Sequence, residues 1–301
     1  MLGRKSMFAD ECYKDGFIGA GWFKDIDLTG KFPDNWREFN KQFIPIYLEN
    51  HPGKSKVAAG LACGMLHTIC KGIEIGDVVF SPNGSGAYYV GEVTSDYQYK
   101  PGGILPHRRS VNWRPKLIER NDMSQELKNS TGSAGTVSDI TQYTKEIENL
   151  LAGNVVPPIT ANDPDIEDPA IFALESHLEE FLVHNWAATD FGKDYNIFEE
   201  DGELVGQQYP SDTGPMDILA ISKDNKELLV VELKKGRASD VVVGQIQRYM
   251  GYVIEELAEP EQTVRGVIIA MEDDLRLRRA LMVTNNIDFY RYQVSFKLKK
   301  G

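Results

Sequence analysis

The chain has 301 residues, of which 42% are hydrophobic and 26% charged, and its formal net charge is −12. This length exceeds one typical domain, and this composition excludes an intrinsically disordered chain. Three cysteines without a C-x-x-C pair, and the lack of an apolar run long enough to span a bilayer, predict a soluble cytoplasmic protein with no membrane partner.

The negative charge is confined to the second half of the chain. Residues 1–150 contain 18 Lys+Arg and 18 Asp+Glu, whereas residues 151–301 contain 15 and 27 and carry the whole −12. A protein that binds a polyanion usually has a basic surface. The charge therefore argues against tight non-specific binding of nucleic acid, but its confinement to one half of the chain does not exclude such a partner.

The N-terminal part of the chain predicts short strands with two helices between the first and the second. Apolar or alternating runs predict strands at 17–22, 77–80, 87–93, 108–113 and 135–137. Helical spacing predicts helices at 36–48 and 57–71. A small β-barrel is the natural way to complete so many short strands without exposed edges.

Four of these segments carry a resemblance to a known family. Ile18–Trp22, Gly76–Phe80, Tyr89–Val93 and His107–Trp113 make residues 15–140 similar to PUA-like barrels, including the EVE domains fused to nucleases in modification-dependent restriction enzymes. The resemblance implies an aromatic pocket for a flipped, modified cytosine.

Candidate residues for this pocket are rings and polar groups on or near the strands. They are Trp22, Tyr88, Tyr89, Asp96, Tyr97 and Trp113, with Asn83 as a further polar partner. Candidate contacts to the DNA backbone are Arg108, Arg109 and Arg114. The alternative is that the rings belong to the core and the arginines to a solvated strand face.

A boundary between two domains follows from composition. A helix predicted over 138–151 is stopped by the segment Gly153–Pro158, and the chain up to residue 168 is rich in Pro, Asp and Asn. We therefore expect an N-terminal domain over 1–152, a semi-rigid linker over 153–168 and a C-terminal domain over 169–301.

The C-terminal domain contains a strand that ends in an unusual way. Leu228–Val231 is a continuous apolar run, typical of a strand buried on both faces, and Glu232 and Lys234 follow on one side of it. The run 216–221 is also strand-like, and a polar turn of hairpin length separates the two. Antiparallel pairing across that turn would set Asp217 close to Glu232.

Two carboxylates at converging strand ends form a hard-oxygen site suited to Mg²⁺, with Mn²⁺ as a substitute. Such an ion lowers the pKa of a bound water, while Lys234 either stabilises the charge that develops on the phosphate oxygens or orients the attacking water. The pattern therefore predicts phosphodiester hydrolysis. The alternative for Asp217, Glu232 and Lys234 is an ordinary cross-strand ion pair.

Three linked segments, GPMDIL, VVELKKGRASD and VGQIQRYMGY, resemble the PD-(D/E)XK nuclease superfamily over about 170–270, and most closely the NucS-type endonucleases. The resemblance implies a restriction-endonuclease-like mixed sheet flanked by helices, and a homodimer. It also assigns Glu175 to the metal site, Gln245 to the catalytic set, and Arg237 and Arg248 to the DNA backbone. Glu175 as a solvated helix residue and Gln245 as a surface amide are the alternatives.

These patterns together predict a two-domain, magnesium-dependent DNA endonuclease. The main hypothesis is modification-dependent restriction of foreign DNA, with base recognition by the N-terminal barrel. The first alternative, implied by the NucS resemblance, is a repair endonuclease for mismatched or branched DNA. The second is a reader of modified DNA that does not cleave.

Overall fold

The computed structural model describes residues 2–132, 137–153, 178–200 and 202–293. The chain divides into two compact units, residues 1–159 and 160–301, which we call unit 1 and unit 2. Each unit combines helices with a β-sheet, so the predicted α+β organisation in two domains is confirmed. Among the described residues, no helix is both long and apolar enough to cross a membrane.

The described residues of unit 1 form six strands and five α-helices. The strands are β1 (Phe17–Ala20), β2 (Val78–Pro82), β3 (Ala87–Val93), β4 (Gln98–Tyr99), β5 (His107–Trp113) and β6 (Ile118–Glu119). The helices are α1 (Ala9–Asp15), α2 (Trp36–Asn50), α3 (Lys56–His67), α4 (Gln125–Gly132) and α5 (Thr144–Ala152). Both helices predicted between the first two strands are present, as are four of the five predicted strands, with ends shifted by a few residues.

The strands of unit 1 form an antiparallel sheet in the order β1-β5-β3-β2, with β4 beside β5 and β6 beside β3. The sheet curls because β5 pairs with β1 over 107–110 and with β3 over 111–113. In this order β1 and β2 are opposite edges, so the described strands form a half-barrel. A specifically PUA-like barrel is not confirmed.

The predicted strand at 135–137 is not seen. Residues 135 and 136 lie outside the described residues, while Val137 belongs to no strand and packs against the core between α2 and α3. That core is built from aromatic and small side chains, among them Phe39, Phe43 and Cys63. All three cysteines are buried and reduced, as expected for small apolar residues in this context.

Unit 2 has a mixed sheet and a small separate hairpin. Its strands are β7 (Tyr195–Ile197), β8 (Glu199–Glu200), β9 (Glu203–Leu204), β10 (Gln207–Ser211), β11 (Gly214–Ser222), β12 (Glu227–Arg237), β13 (Thr263–Glu272) and β14 (Ile287–Arg291). The described helices are α6 (178–184), α7 (Phe191–Asp194), α8 (Val241–Tyr252) and α9 (Leu275–Leu281).

The main sheet of unit 2 has the order β10-β11-β12-β13-β14, with β7 beside β11. β11 is antiparallel to its neighbours, whereas β12, β13 and β14 run parallel. β12 is buried from Leu228 to Leu233, as its apolar run predicted. α8 packs closely over β13 because Gly266 lacks a side chain: a Cβ there would lie 2.7 Å from Met250 Sδ.

Candidate active site

The hairpin of β11 and β12 brings the two predicted acidic residues together. Ile218 pairs with Val231, so the antiparallel pairing that the sequence predicted is confirmed. The same register, continued by one residue, places Asp217 beside Glu232. The turn is closed by Ser222 Oγ, which accepts hydrogen bonds from the backbone N–H groups of Lys226 (3.0 Å) and Glu227 (2.9 Å).

Asp217 is fixed by a hydrogen bond to each carboxylate oxygen. Oδ2 accepts the backbone N–H of Leu233 at 2.7 Å, and Oδ1 accepts Nε2 of Gln208 at 3.2 Å. Donors on both oxygens restrict the rotation of the side chain. The carboxylate is therefore held against the strand that carries Glu232.

Glu232 and Lys234 form an ion pair within one strand. Glu232 is only 2% exposed, and its Oε1 lies 2.6 Å from Lys234 Nζ, whose side chain is 32% exposed. Burying a carboxylate is costly unless it is paired and hydrogen-bonded. Lys234 supplies that charge and still reaches solvent. The two side chains lie on one side of β12, as their spacing predicted. Their ion pair is therefore formed within one strand and does not join two strands.

A second carboxylate network, which the sequence did not predict, adjoins Asp217. Glu179 on α6 accepts hydrogen bonds from Gln207 Nε2 (2.8 Å to Oε1) and from Gln208 Nε2 (2.7 Å to Oε2). Glu175, the predicted helical glutamate, lies outside the described residues. Glu179 is four residues further along, which is the spacing that puts two residues on one helix face, and that spacing was the available signal.

Gln208 has an unusual backbone conformation. Its φ is +51°, in the left-handed region that non-glycine residues rarely adopt. Such a conformation costs of the order of 1–3 kcal/mol and tends to occur at functional sites. In the pairing of β10 with β11, Gln207 lies opposite Ile218 and Tyr209 opposite Met216. Gln208, between them, is therefore opposite Asp217.

The helix α8 contributes a polar pair to the same region. Gln245 Nε2 donates a hydrogen bond of 3.2 Å to the hydroxyl of Tyr249. Tyr249 was not among the site residues predicted from the sequence. Burial raises the pKa of Tyr249, and the negative charges of Glu232 and Asp217 act in the same direction. The Tyr249 hydroxyl therefore lies within the electrostatic reach of the carboxylates. Tyr249 lies four residues after Gln245, and this helical spacing could have indicated its place in the site.

Arg237 and Arg248 are both exposed, and each is only three residues from a predicted site residue in the sequence. Arg237 follows Lys234 across an irregularity in the β12–β13 pairing, where Gly236 has a φ of +64°. Arg248 lies three residues after Gln245 on α8. Their contact with DNA stays a prediction.

In unit 1 the predicted pocket residues do not gather in one place. Tyr88 is buried and its hydroxyl accepts a hydrogen bond from Arg120. Tyr89 donates to Asp10 and lies beside Trp113, with 6.1 Å between ring centroids. Trp113 in turn donates to a carbonyl of α1.

Tyr97 and Trp22 pack instead against the core between α2 and α3. The Tyr97 hydroxyl bonds Nδ1 of His107 at 2.8 Å. Asp96 is exposed, and Asn83 Oδ1 accepts two backbone N–H groups of its own turn. Because these side chains serve separate clusters, a pocket that contains all of them is not formed.

The three arginines of unit 1 also have different environments. Arg109 is 2% exposed and donates to the carbonyls of Ser95, Cys70 and Ile73, so its guanidinium stabilises the fold and is not positioned to bind phosphate. This corrects the expectation for Arg109. Arg108 lies 3.8 Å from the ring centroid of Phe17, whereas Arg114 is exposed.

Of the three carboxylates predicted to hold a divalent cation, Asp217 and Glu232 lie within the described residues of unit 2. Carboxylate oxygens are the ligands that Mg²⁺ and Mn²⁺ prefer, so the donor chemistry fits. Across the described part of the chain, no group of three or more His, Cys, Asp and Glu is arranged as a complete metal site. A cation held here would therefore need further oxygen ligands from water or a phosphate.

Comparison with known proteins gives different results for the two units. Residues 2–141 match a model described as a domain of unknown function (DUF8426), and residues 174–300 match the model of the Endonuclease NucS C-terminal domain. Endonuclease NucS of Methanocaldococcus jannaschii is 26% identical over 198 residues, which are 63% of this chain and 66% of that protein.

Endonuclease NucS of Corynebacterium glutamicum is 34% identical over 109 residues, or 35% of this chain and 41% of that protein. A solved structure, "crystal structure of a repair endonuclease from Pyrococcus abyssi", covers 72% of this chain and 65% of its own at 14% identity and a TM-score of 0.28. The chain spans about two thirds of the first NucS relative and about two fifths of the second.

The comparisons confirm the predicted resemblance for unit 2, which is similar over 174–300 to the C-terminal domain of NucS endonucleases. They do not confirm an EVE-like domain or a restriction function for unit 1.

Proposed function

We propose that this protein is a DNA endonuclease that cleaves phosphodiester bonds in unit 2 and acts in the repair of mismatched or branched DNA. The observation that carries the proposal is the juxtaposition of Asp217 and Glu232 on paired strands, with Lys234 Nζ 2.6 Å from Glu232. The match of residues 174–300 to the NucS C-terminal domain supports it.

The chemistry assigns one task to each side chain. Asp217 and Glu232 would hold a Mg²⁺ ion, with Mn²⁺ as a substitute; such an ion supplies positive charge and lowers the pKa of a bound water. Lys234, partly exposed, places its ammonium where it can stabilise charge on phosphate oxygens. Gln245 and Tyr249 present an amide and a hydroxyl within electrostatic reach of the carboxylates, where they can orient a water or a phosphate.

Repair is favoured over restriction because the relatives that match unit 2 are NucS endonucleases. Restriction of modified DNA would need a base pocket, and the aromatic residues predicted for it in unit 1 lie in separate clusters. Fold and catalytic core alone do not determine the substrate. Restriction and non-cleaving recognition are therefore alternative outcomes of the same experiment.

The experiment offers the full chain a matched set of duplexes with Mg²⁺, Mn²⁺ or EDTA. The set contains perfectly paired, mismatched and branched DNA, and paired DNA with 5-methyl-, 5-hydroxymethyl- or glucosylated cytosine. We expect metal-dependent cleavage of the mismatched or branched DNA only, and none by Lys234→Ala. Cleavage of modified DNA alone would establish restriction, and binding without cleavage would establish a reader.

Two active sites allow both strands of a duplex to be cut in one binding event, and we propose that two copies of the chain supply them. Light scattering during size-exclusion chromatography measures the mass directly. A mass of about twice 33.8 kDa is expected. A monomer that nicks only one strand would contradict this part of the proposal.

A further inference from the structure

We propose that Gln208 is a positioning residue, which orients Asp217 by dividing the two N–H groups of its side-chain amide between Asp217 and Glu179. This inference rests on the proposed function, because it assigns Gln208 a role in the geometry of the cleavage site. Nε2 of Gln208 lies 3.2 Å from Asp217 Oδ1 and 2.7 Å from Glu179 Oε2. A primary amide has two N–H donors, so both contacts can form at once.

The backbone of β10 is distorted in a way that serves this contact. Successive side chains of a regular strand point to opposite faces. Here the adjacent residues Gln207 and Gln208 both reach the carboxylate of Glu179, at 2.8 and 2.7 Å. The left-handed φ of +51° at Gln208 accounts for this, since it departs from the strand geometry that separates neighbouring side chains. A strained conformation persists only where its surroundings enforce it, and such sites are often functional.

The network gives Asp217 two anchors of different origin. Oδ2 is held by the backbone N–H of Leu233 on β12, and Oδ1 by Gln208 on β10. Gln208 is itself held by Glu179 on α6, so the orientation of Asp217 depends on two strands and a helix. Outer partners of this kind usually change activity 10- to 100-fold when they are altered.

Two double variants of identical composition and charge separate positioning from a purely structural role. Glu179→Gln with Gln208→Glu keeps a hydrogen bond between positions 179 and 208, because the new Gln amide can donate to the new carboxylate. It removes the N–H that Asp217 receives. Glu179→Gln with Gln207→Glu keeps the bond between 179 and 207 and leaves Gln208 and its contact to Asp217 intact.

We expect the first double variant to lower kcat for a mismatched duplex about 10- to 100-fold, with KM for the DNA and the melting temperature little changed. The second variant also alters Glu179 but keeps the N–H that Asp217 receives, so its kcat should remain several-fold above that of the first. Equal kcat values for the two variants would overturn the proposal, because the network would then serve only the fold.

Crystal structures of both metal-free variants give a readout that does not depend on cleavage. The proposal requires that Asp217 Oδ2 leave its 2.7 Å contact with Leu233 N, or adopt two conformers, in the first variant only. An unmoved Asp217 in both variants overturns it. If the natural protein cuts none of the DNA substrates, the proposed function fails, and these structures still decide whether Gln208 positions Asp217. A displaced Asp217 with unchanged kcat would also reject the role in cleavage.

Discussion

The polar side chains of the two units are arranged differently. In unit 1 the residues that the sequence singled out bond to backbone or to one separate partner each: Arg109 and Trp113 donate to carbonyls, whereas Tyr88, Tyr89 and Tyr97 pair with Arg120, Asp10 and His107 in different places. In unit 2, Glu179, Gln208 and Asp217 bond side chain to side chain, and so do Glu232 and Lys234.

This difference separates residues that maintain a fold from residues that form a site. Most side-chain hydrogen bonds in proteins go to backbone or water, and only about 10–15% of all hydrogen bonds join two side chains. A set of such bonds among ionisable groups is costly to build and is characteristic of functional sites. The contrast therefore supports the proposal that cleavage takes place in unit 2, and it predicts that substitutions in the two units have different consequences.

The largest expected effect is that of Glu232→Gln. Loss of the carboxylate should reduce cleavage of a mismatched duplex by about 10³-fold. The free energy of unfolding should change by less than about 1 kcal/mol, because a neutral amide is easier to bury than a charge. Cleavage kinetics and denaturant titration check the two halves of the prediction.

Glu227→Gln is the matched control, because it makes the same change at the other end of β12, where Glu227 accepts a hydrogen bond from Thr263 Oγ1. Cleavage by this variant should equal that of the natural protein. If Glu232→Gln kept full activity, the assignment of the active site to the end of β12 would be wrong.

The next effect in size belongs to unit 1. Arg109→Ala leaves the carbonyls of Ser95, Cys70 and Ile73 without their buried donor, and should lower the stability of unit 1 by about 3 kcal/mol. Arg114→Ala, an exposed control, should change it by less than about 0.5 kcal/mol. Hydrogen exchange measures the stability of each unit separately. A change in the salt dependence of DNA binding, with stability intact, would restore the phosphate contact first expected for Arg109.

Sequence patterns predicted the central hairpin of unit 2 because its determinants are local. A buried apolar run, a polar turn and the twofold alternation of strands together define the positions of Asp217, Glu232 and Lys234. The contact between Glu179 and Gln208 could not be predicted in this way, although the spacing of Glu179 from Glu175 placed it on the same face of the predicted helix. Their contact depends on how α6 packs beside β10 and on a left-handed φ, and neither leaves a periodic signal in the sequence.

In unit 1 the strand positions were predicted well but the roles of the side chains were not. Aromatic residues on short strands fit a core and a binding pocket equally, and the choice depends on which strands become neighbours. The partner change within β5 and the packing of α2 and α3 separated Tyr88, Tyr97 and Trp113 into different clusters.

A smaller effect concerns acid sensitivity, which should be greater in unit 1. Burial lowers the pKa of His107 from its ordinary value of 6.5. The side chains that face His107 are those of Tyr97, Tyr99 and Asp27. The unfolded chain then binds the proton more readily, so stability is greatest above pH 6.5 and falls as the pH drops below it. Melting of unit 1 at pH 7.5 and 5.5, followed by hydrogen exchange, tests this.

His107→Gln should reduce the loss between these two pH values, although it lowers stability at both. His184→Gln, which alters an exposed histidine of unit 2, should leave the pH dependence of unit 1 unchanged. An acid sensitivity that is the same in the natural protein and in His107→Gln would exclude His107 as its source.

The smallest predicted effect concerns what sets the register of the β11–β12 hairpin. Asn225 in its turn has a φ of +59°, which asparagine tolerates and alanine does not, so Asn225→Ala should cost about 1 kcal/mol and Asn225→Gly much less. Cleavage at 25 °C should be unchanged in both variants. A shift of the β11–β12 register by one residue would turn every side chain of the buried run that begins at Leu228 to the opposite face and disrupt its packing. That penalty far exceeds the strain of one turn residue. A drop in kcat for Asn225→Ala but not for Asn225→Gly would instead show that the turn, and not the buried strand, aligns Asp217 with Glu232.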